Sequence, residues 1–137
     1  MARRPHTPPL PLLHVIPQRH SSDCAIACLA MFLGVRYEDV LVAVGKSVID
    51  HGMTVKEVKD TAAKLKTPLQ LRRHIDLDTD TGILGIQMPE RRGHVRQDHV
   101  VILHAGLVFD TDGTVWEVDD YLQATHAKAV SLLVRKE

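Results

Sequence analysis

Residues 24–34, Cys-Ala-Ile-Ala-Cys-Leu-Ala-Met-Phe-Leu-Gly, constrain this chain more than any other stretch. Read as a helix, the segment is apolar on every side, so it belongs inside the protein with other layers around it. Gly34 suits the left-handed residue that ends helices. Ser22 or Asp23 suits the cap at its start, where a side-chain oxygen accepts a hydrogen bond from the first turn. Cys24 then falls in that first turn, where unpaired N–H groups and the helix dipole favour an anion. A thiol held there ionises more readily, and the thiolate is the reactive form. Cys24 is therefore a candidate nucleophile.

The rest of the chain supplies the layers. Residues 1–9 read as a basic, proline-containing arm without periodicity, and residues 10–137 as one domain, long enough at 137 residues in all to bury a core without staples. Residues 10–17 suit an edge strand or extended lead-in. Residues 37–44 suit a second helix ending at Gly45. Thr54-Val-Lys-Glu57 is a capping box opening a third helix, whose inward face is Val55, Val58, Ala62 and Leu65 and which Pro68 stops. Beyond it the pattern turns strand-like, at residues 69–75, 83–88, 98–103, 106–110, 114–118 and 129–134. A charged loop spans 89–97, and 119–125 is a short helix or turn. Helices first and strands afterwards predict an α+β fold, a helix layer on an antiparallel sheet, with the site in the crevice between them.

A thiolate needs a base, and the base needs orienting. Nine histidines make composition no guide, but strand geometry is one. A tight hairpin with His104-Ala105 as its loop pairs Leu103 with Gly106 and sets His99 opposite Asp110. Paired residues share a face with Cβ atoms about 4.5–5.5 Å apart, close enough for a carboxylate to hold one imidazole nitrogen and leave the other for Cys24. A three-residue loop would instead bring Thr111 opposite and change the faces.

Together, Gln18 six residues before Cys24, the Asp23-Cys24 pair and the Ala27-Cys-Leu-Ala-Met31 continuation resemble the bacteriocin-processing peptidases. His99-Val-Val-Ile-Leu and Gly106-Leu-Val-Phe-Asp110 are similar to that family's histidine strand and the strand bearing its third triad residue. The resemblance covers residues 16–122. It implies a papain-like cysteine peptidase fold with Cys24 as nucleophile, His99 as base and later acid, Asp110 orienting the histidine and the Gln18 amide in the oxyanion hole. The backbone N–H of Cys24 is a second donor to that hole. It also implies a peptide or protein substrate and no cofactor. This chain has Ala25 where the family usually has glycine, and Asp110-Thr111 where Asp-Pro is usual, which keeps Asp112 as a weaker candidate for the orienting role. Preference for a double glycine does not carry over.

Other readings stand beside these. Cys28, one turn after Cys24, and Trp116 read as core. The other histidines receive no role. Cys24, Cys28 and His99 as zinc ligands lack the usual spacing, so no metal is expected. A catalytically silent peptide-binding module is the alternative to an enzyme. Lysine plus arginine equals aspartate plus glutamate, 17 each, so nothing points to nucleic acid or an anionic membrane. No apolar run approaches the roughly 18 residues of a membrane span. The start is too proline-broken for a signal peptide. With two cysteines that do not suggest a disulfide framework, a monomer in the reducing cytoplasm is the default expectation.

Overall fold

In a computed structural model, which describes residues 15–20, 22–45, 52–89 and 98–136, the apolar segment forms helix α1 (Cys24–Leu33). Every residue from Ala25 to Phe32 is buried. Gly34 ends the helix at φ 70°, ψ 32°, and the Val35 N–H closes back on the Ala30 carbonyl at 3.1 Å. The left-handed conformation costs glycine little and other residues more. The expected arm (1–9), most of the 10–17 segment and residues 90–97 of the charged loop lie outside the described residues.

Helices α2 (Tyr37–Val44) and α3 (Val55–Lys64) pack against α1. The capping box of α3 forms as its sequence predicts: Thr54 Oγ1 accepts from the Glu57 N–H at 3.1 Å, and Glu57 Oε1 accepts from the Thr54 N–H at 2.9 Å. Its inward face differs from expectation. Val58, Thr61 and Ala62 are buried, while Val55 is exposed because it fronts an open cleft. Thr61 tolerates burial because its hydroxyl donates to the Glu57 carbonyl at 2.7 Å.

Six strands follow: β1 (Leu69–Arg72), β2 (Thr81–Gln87), β3 (Asp98–His104), β4 (Leu107–Phe109), β5 (Val115–Glu117) and β6 (Lys128–Arg135), with α4 (Val118–Thr125) between the last two. They form one sheet in the order β1-β6-β2-β3-β4-β5, every neighbouring pair antiparallel. The fold is α+β. Strand alternation splits the core between two faces. Ile83, Ile102, Phe109 and Leu133 face α1 and α3, whereas Leu84, Val101, Leu103, Val108 and Leu132 pack with Val118 and Tyr121 of α4. Gly82 permits the close β2–β6 approach, since a Cβ there would strike the Leu133 carbonyl oxygen. Trp116 is a correction. It lies 37% exposed on the short edge strand β5, meeting Tyr121 edge-on at 5.9 Å, because an edge strand of three residues has no layer covering it fully. No helix among the described residues is long and apolar enough to cross a membrane.

The β3–β4 hairpin also turns later than predicted. Its loop is Ala105-Gly106, so Leu103 pairs with Val108 and His104 with Leu107. Both loop residues have positive φ, 43° and 89°. That is the requirement of the two-residue turn whose twist matches the strands, and glycine at the second loop position meets it there. A loop of His104-Ala105 would have put two Cβ-bearing residues in that conformation.

Two stability measurements test this packing. Leu29→Ala, at a wholly inaccessible position, is expected to cost about 2–5 kcal/mol in urea unfolding. Ala105→Asn is expected to stabilise by up to about 1 kcal/mol, because asparagine tolerates the left-handed region better than alanine.

Candidate active site

The loop before α1 is built around Asp23, which is 1% exposed. Its carboxylate accepts hydrogen bonds from the backbone N–H groups of Arg19 (2.9 Å) and His20 (3.0 Å) and from the Tyr37 hydroxyl (2.5 Å). Arg19 lies over the Tyr37 ring, 4.1 Å from its centre, and pairs with Glu38 at 2.9 Å, which pins the same loop onto α2. The predicted side-chain cap is therefore absent: Asp23 holds the N-cap position, but its oxygens turn back to the loop and no side chain caps α1. The physical reason is competition for one carboxylate, which satisfies three donors behind the helix and none within it. The mouth of α1 is left to the thiol.

Cys24 is half-buried there, with the backbone N–H groups of Ala25 and Val100 directed at its sulfur and the His99 imidazole within hydrogen-bonding reach. His99 stands near the start of β3, and its Nε2 lies 3.0 Å from Asp110 Oδ1. Since Nε2 is committed to the carboxylate, Nδ1 is the nitrogen left for the thiol. The later hairpin turn puts His99 and Asp110 diagonal to each other instead of directly paired. A shift of two residues preserves which face each side chain takes, so the contact survives the changed register. The carboxylate is itself held by the Thr111 N–H at 2.6 Å. Asp112 is turned away, accepting from the Thr114 N–H at 2.9 Å in an exposed turn.

Charge follows from this arrangement. Burial alone would raise the Cys24 thiol, but the His99 hydrogen bond and charge, with the two backbone N–H groups, bring it below its ordinary value. For His99, burial opposes the charged form, yet hydrogen bonds and negative charge from Asp110 and Cys24 raise it to about 9. Asp110 is held below the usual carboxylate range: burial works against this, and His99, the Thr111 N–H and nearby Tyr121 outweigh it. Both shifts run in the direction that favours a thiolate–imidazolium pair over a neutral one. Cys28, fully buried one turn on, is pushed well above the ordinary thiol value by burial and by the charges of Cys24 and Asp110.

Gln18 sits beside this group. Its backbone N–H donates to the Thr111 carbonyl at 2.7 Å, and its Oε1 accepts from the Thr111 hydroxyl at 2.5 Å. Its Nε2 donates to the His20 carbonyl at 2.5 Å, which uses one of the two amide hydrogens. Thr111, 1% exposed, therefore joins the Gln18 segment to the Asp110 turn, and its hydroxyl lies 3.5 Å from His99 Nε2. The sequence brings in Thr111 only as a register alternative and as the residue after Asp110, and gives Tyr121 no role. The tie from Thr111 to Gln18 and the approach of Tyr121 to Asp110 carry no local signal, since folding alone brings these residues together.

From the thiol a cleft of about 780 Å³ extends between α3 and the sheet, with Cys24 and His99 in its lining. Among the described residues no three His, Cys, Asp or Glu side chains converge as metal ligands would. No sequence profile of a known protein family matches the chain, and a search of curated proteins finds no match.

The imidazolium depends on its carboxylate, which gives a direct test. Removing that negative charge destabilises the protonated ring, so in Asp110→Asn the His99 titration is expected to fall from about 9 toward the unperturbed value near 6.5. Ring-proton NMR across pH measures it; an unmoved titration would sever the assumed coupling.

Proposed function

We propose that this chain is a cysteine peptidase of papain-like type, related to the bacteriocin-processing peptidases that its Gln18, Asp23-Cys24 and His99 segments resemble. The observation that carries the reading is the line of groups from a thiol at an uncapped helix mouth, through an imidazole, to a buried-side carboxylate 3.0 Å beyond it. A packing cysteine has no need of that line, as Cys28 illustrates.

In this reading the Cys24 thiolate attacks the carbonyl carbon of a peptide or isopeptide bond. The C=O π electrons move to oxygen, which the Cys24 N–H and the remaining Gln18 amide hydrogen stabilise. Such a donor is worth roughly 3–4 kcal/mol in related chemistry. As the C–N bond breaks, the His99 imidazolium gives its proton to the departing amine. Neutral His99 then takes a proton from water, whose oxygen attacks the thioester. The acid product leaves, and thiolate and imidazolium are restored. Asp110 keeps the ring oriented throughout, and no cofactor enters any step.

An activity-based thiol probe applied to the full chain tests the proposal. Labelling of Cys24 is expected in the wild type and should be lost in Cys24→Ser. In His99→Ala the rate should fall by roughly 10²-fold or more, the range of a lost general base. Binding of a peptide with no covalent adduct and no cleavage would instead favour the silent binding module.

A further inference from the structure

The cleft beside Cys24 has a floor and walls that its neighbours in the sheet do not share. On the face toward α3, β2 carries Ile83 and then Gly85, and β6 carries Leu133 and then Ser131. Gly85 and Ser131 are cross-strand partners, so a bulky ladder gives way to its two smallest members at one place. A Cβ at Gly85 would sit 2.6 Å from Ser131 Oγ, so a larger residue there fills the hollow or displaces the serine. Immediately beyond, the register between β2 and β6 shifts, with Ser131 opposite Gly85 but Ala129 opposite Ile86. The unpaired Val130 is thereby turned into the cleft lining. Bulges of this kind re-aim side chains next to sites.

Met53, Val58, Leu71, Ile83, Val130 and Leu133 form apolar walls. No Asp, Glu, Lys or Arg among the described residues lines the space. Apart from the Cys24–His99 pair at one end, the described lining offers a charged side chain no partner for the water it would lose, while glycine would leave the hollow unfilled. Cys24 and His99 belong to the same lining, so the entering side chain must be borne close to the attacked carbonyl.

Resting on the reading of Cys24 as a peptidase nucleophile, we infer that the cleft selects a peptide with a bulky, uncharged apolar side chain, aliphatic or aromatic. That side chain belongs to the residue whose carbonyl is attacked or to its immediate neighbour. Gly85 and Ser131 are the specificity-determining pair, because their small size creates the depth that the side chain occupies.

The experiment uses the full-length chain and peptidyl acyloxymethyl ketones that differ only in the side chain next to the reactive carbon: leucine, glycine or aspartate. In each, the thiolate forms a thioether and the carboxylate leaves. The leucine probe is expected to modify Cys24 at least about tenfold faster than the other two, the scale on which apolar pockets discriminate. That ratio should collapse toward one in Gly85→Leu and in Met53→Trp. Met53 lies in a loop, so the second variant preserves the test should the strand substitution not fold. Iodoacetamide, which carries no side chain to place, separates the two levels of inference. Fast alkylation of Cys24 with no leucine preference, or a preference that both folded variants retain, overturns the pocket and spares the nucleophile. Alkylation of Cys24 no faster than in urea-unfolded chain overturns both.

Discussion

Burying α1 against the sheet is the constraint from which the rest of the geometry descends. Residues 26–30 are wholly inaccessible, so the helix has no freedom to rotate or slide without exposing apolar surface. Ile26, Leu29 and Met31 are among the largest fully buried side chains, and their packing sets where the first turn of the helix ends up. Cys24 is thereby delivered to β3 at Val100, whose N–H points at the sulfur. A thiol on a flexible loop would have to be ordered at each encounter; this one is ordered by the core.

Two polar clasps complete what packing begins. Asp23 gathers two loop N–H groups and the Tyr37 hydroxyl behind the helix, and Thr111 ties the Gln18 segment to the Asp110 turn across 93 residues of sequence. Both are buried, where an unmade hydrogen bond is costly, so each clasp favours one conformation strongly. Their arrangement explains an apparent waste. Asp23 stands at the cap position and declines to cap, so the first turn of the helix has no side-chain acceptor from it beside Cys24.

The elements that were legible in the sequence are those set by local chemistry. The helix at 24–33, its glycine stop, the Thr54–Glu57 capping box and the alternation of strand faces need only neighbouring residues, and the structure has them. The hairpin shows the boundary. Its existence and faces follow from alternation, but its register depends on which two residues accept positive φ, and Gly106 moves the turn by one position. Trp116 and Val55 read as core because their patterns are right, yet each lies where the covering layer ends. Of the site, Cys24, His99 and Asp110 come together, but His99 and Asp110 meet diagonally and not through the direct pairing that the expected register implied. The tie between Thr111 and Gln18 is hidden because nothing near either residue in sequence marks a partner 93 positions away, and Tyr121 likewise approaches Asp110 only through the tertiary fold.

The contrast between the two cysteines lies in position, not residue type, which sets how readily each thiol ionises. Cys24 and Cys28 occupy the same helix one turn apart, and burial raises both thiols. Only Cys24 has compensation, from an imidazole that is itself supported by Asp110 and from two backbone N–H groups. For Cys28 the neighbouring charges are negative, so they add to the effect of burial instead of offsetting it. The same Asp110 carboxylate therefore acts in opposite senses on the two thiols: directly against ionisation of Cys28, and through a protonated His99 in favour of it at Cys24. Burial is the larger cause at Cys28, and the carboxylate beyond the histidine widens the separation between the two thiols across one turn of helix.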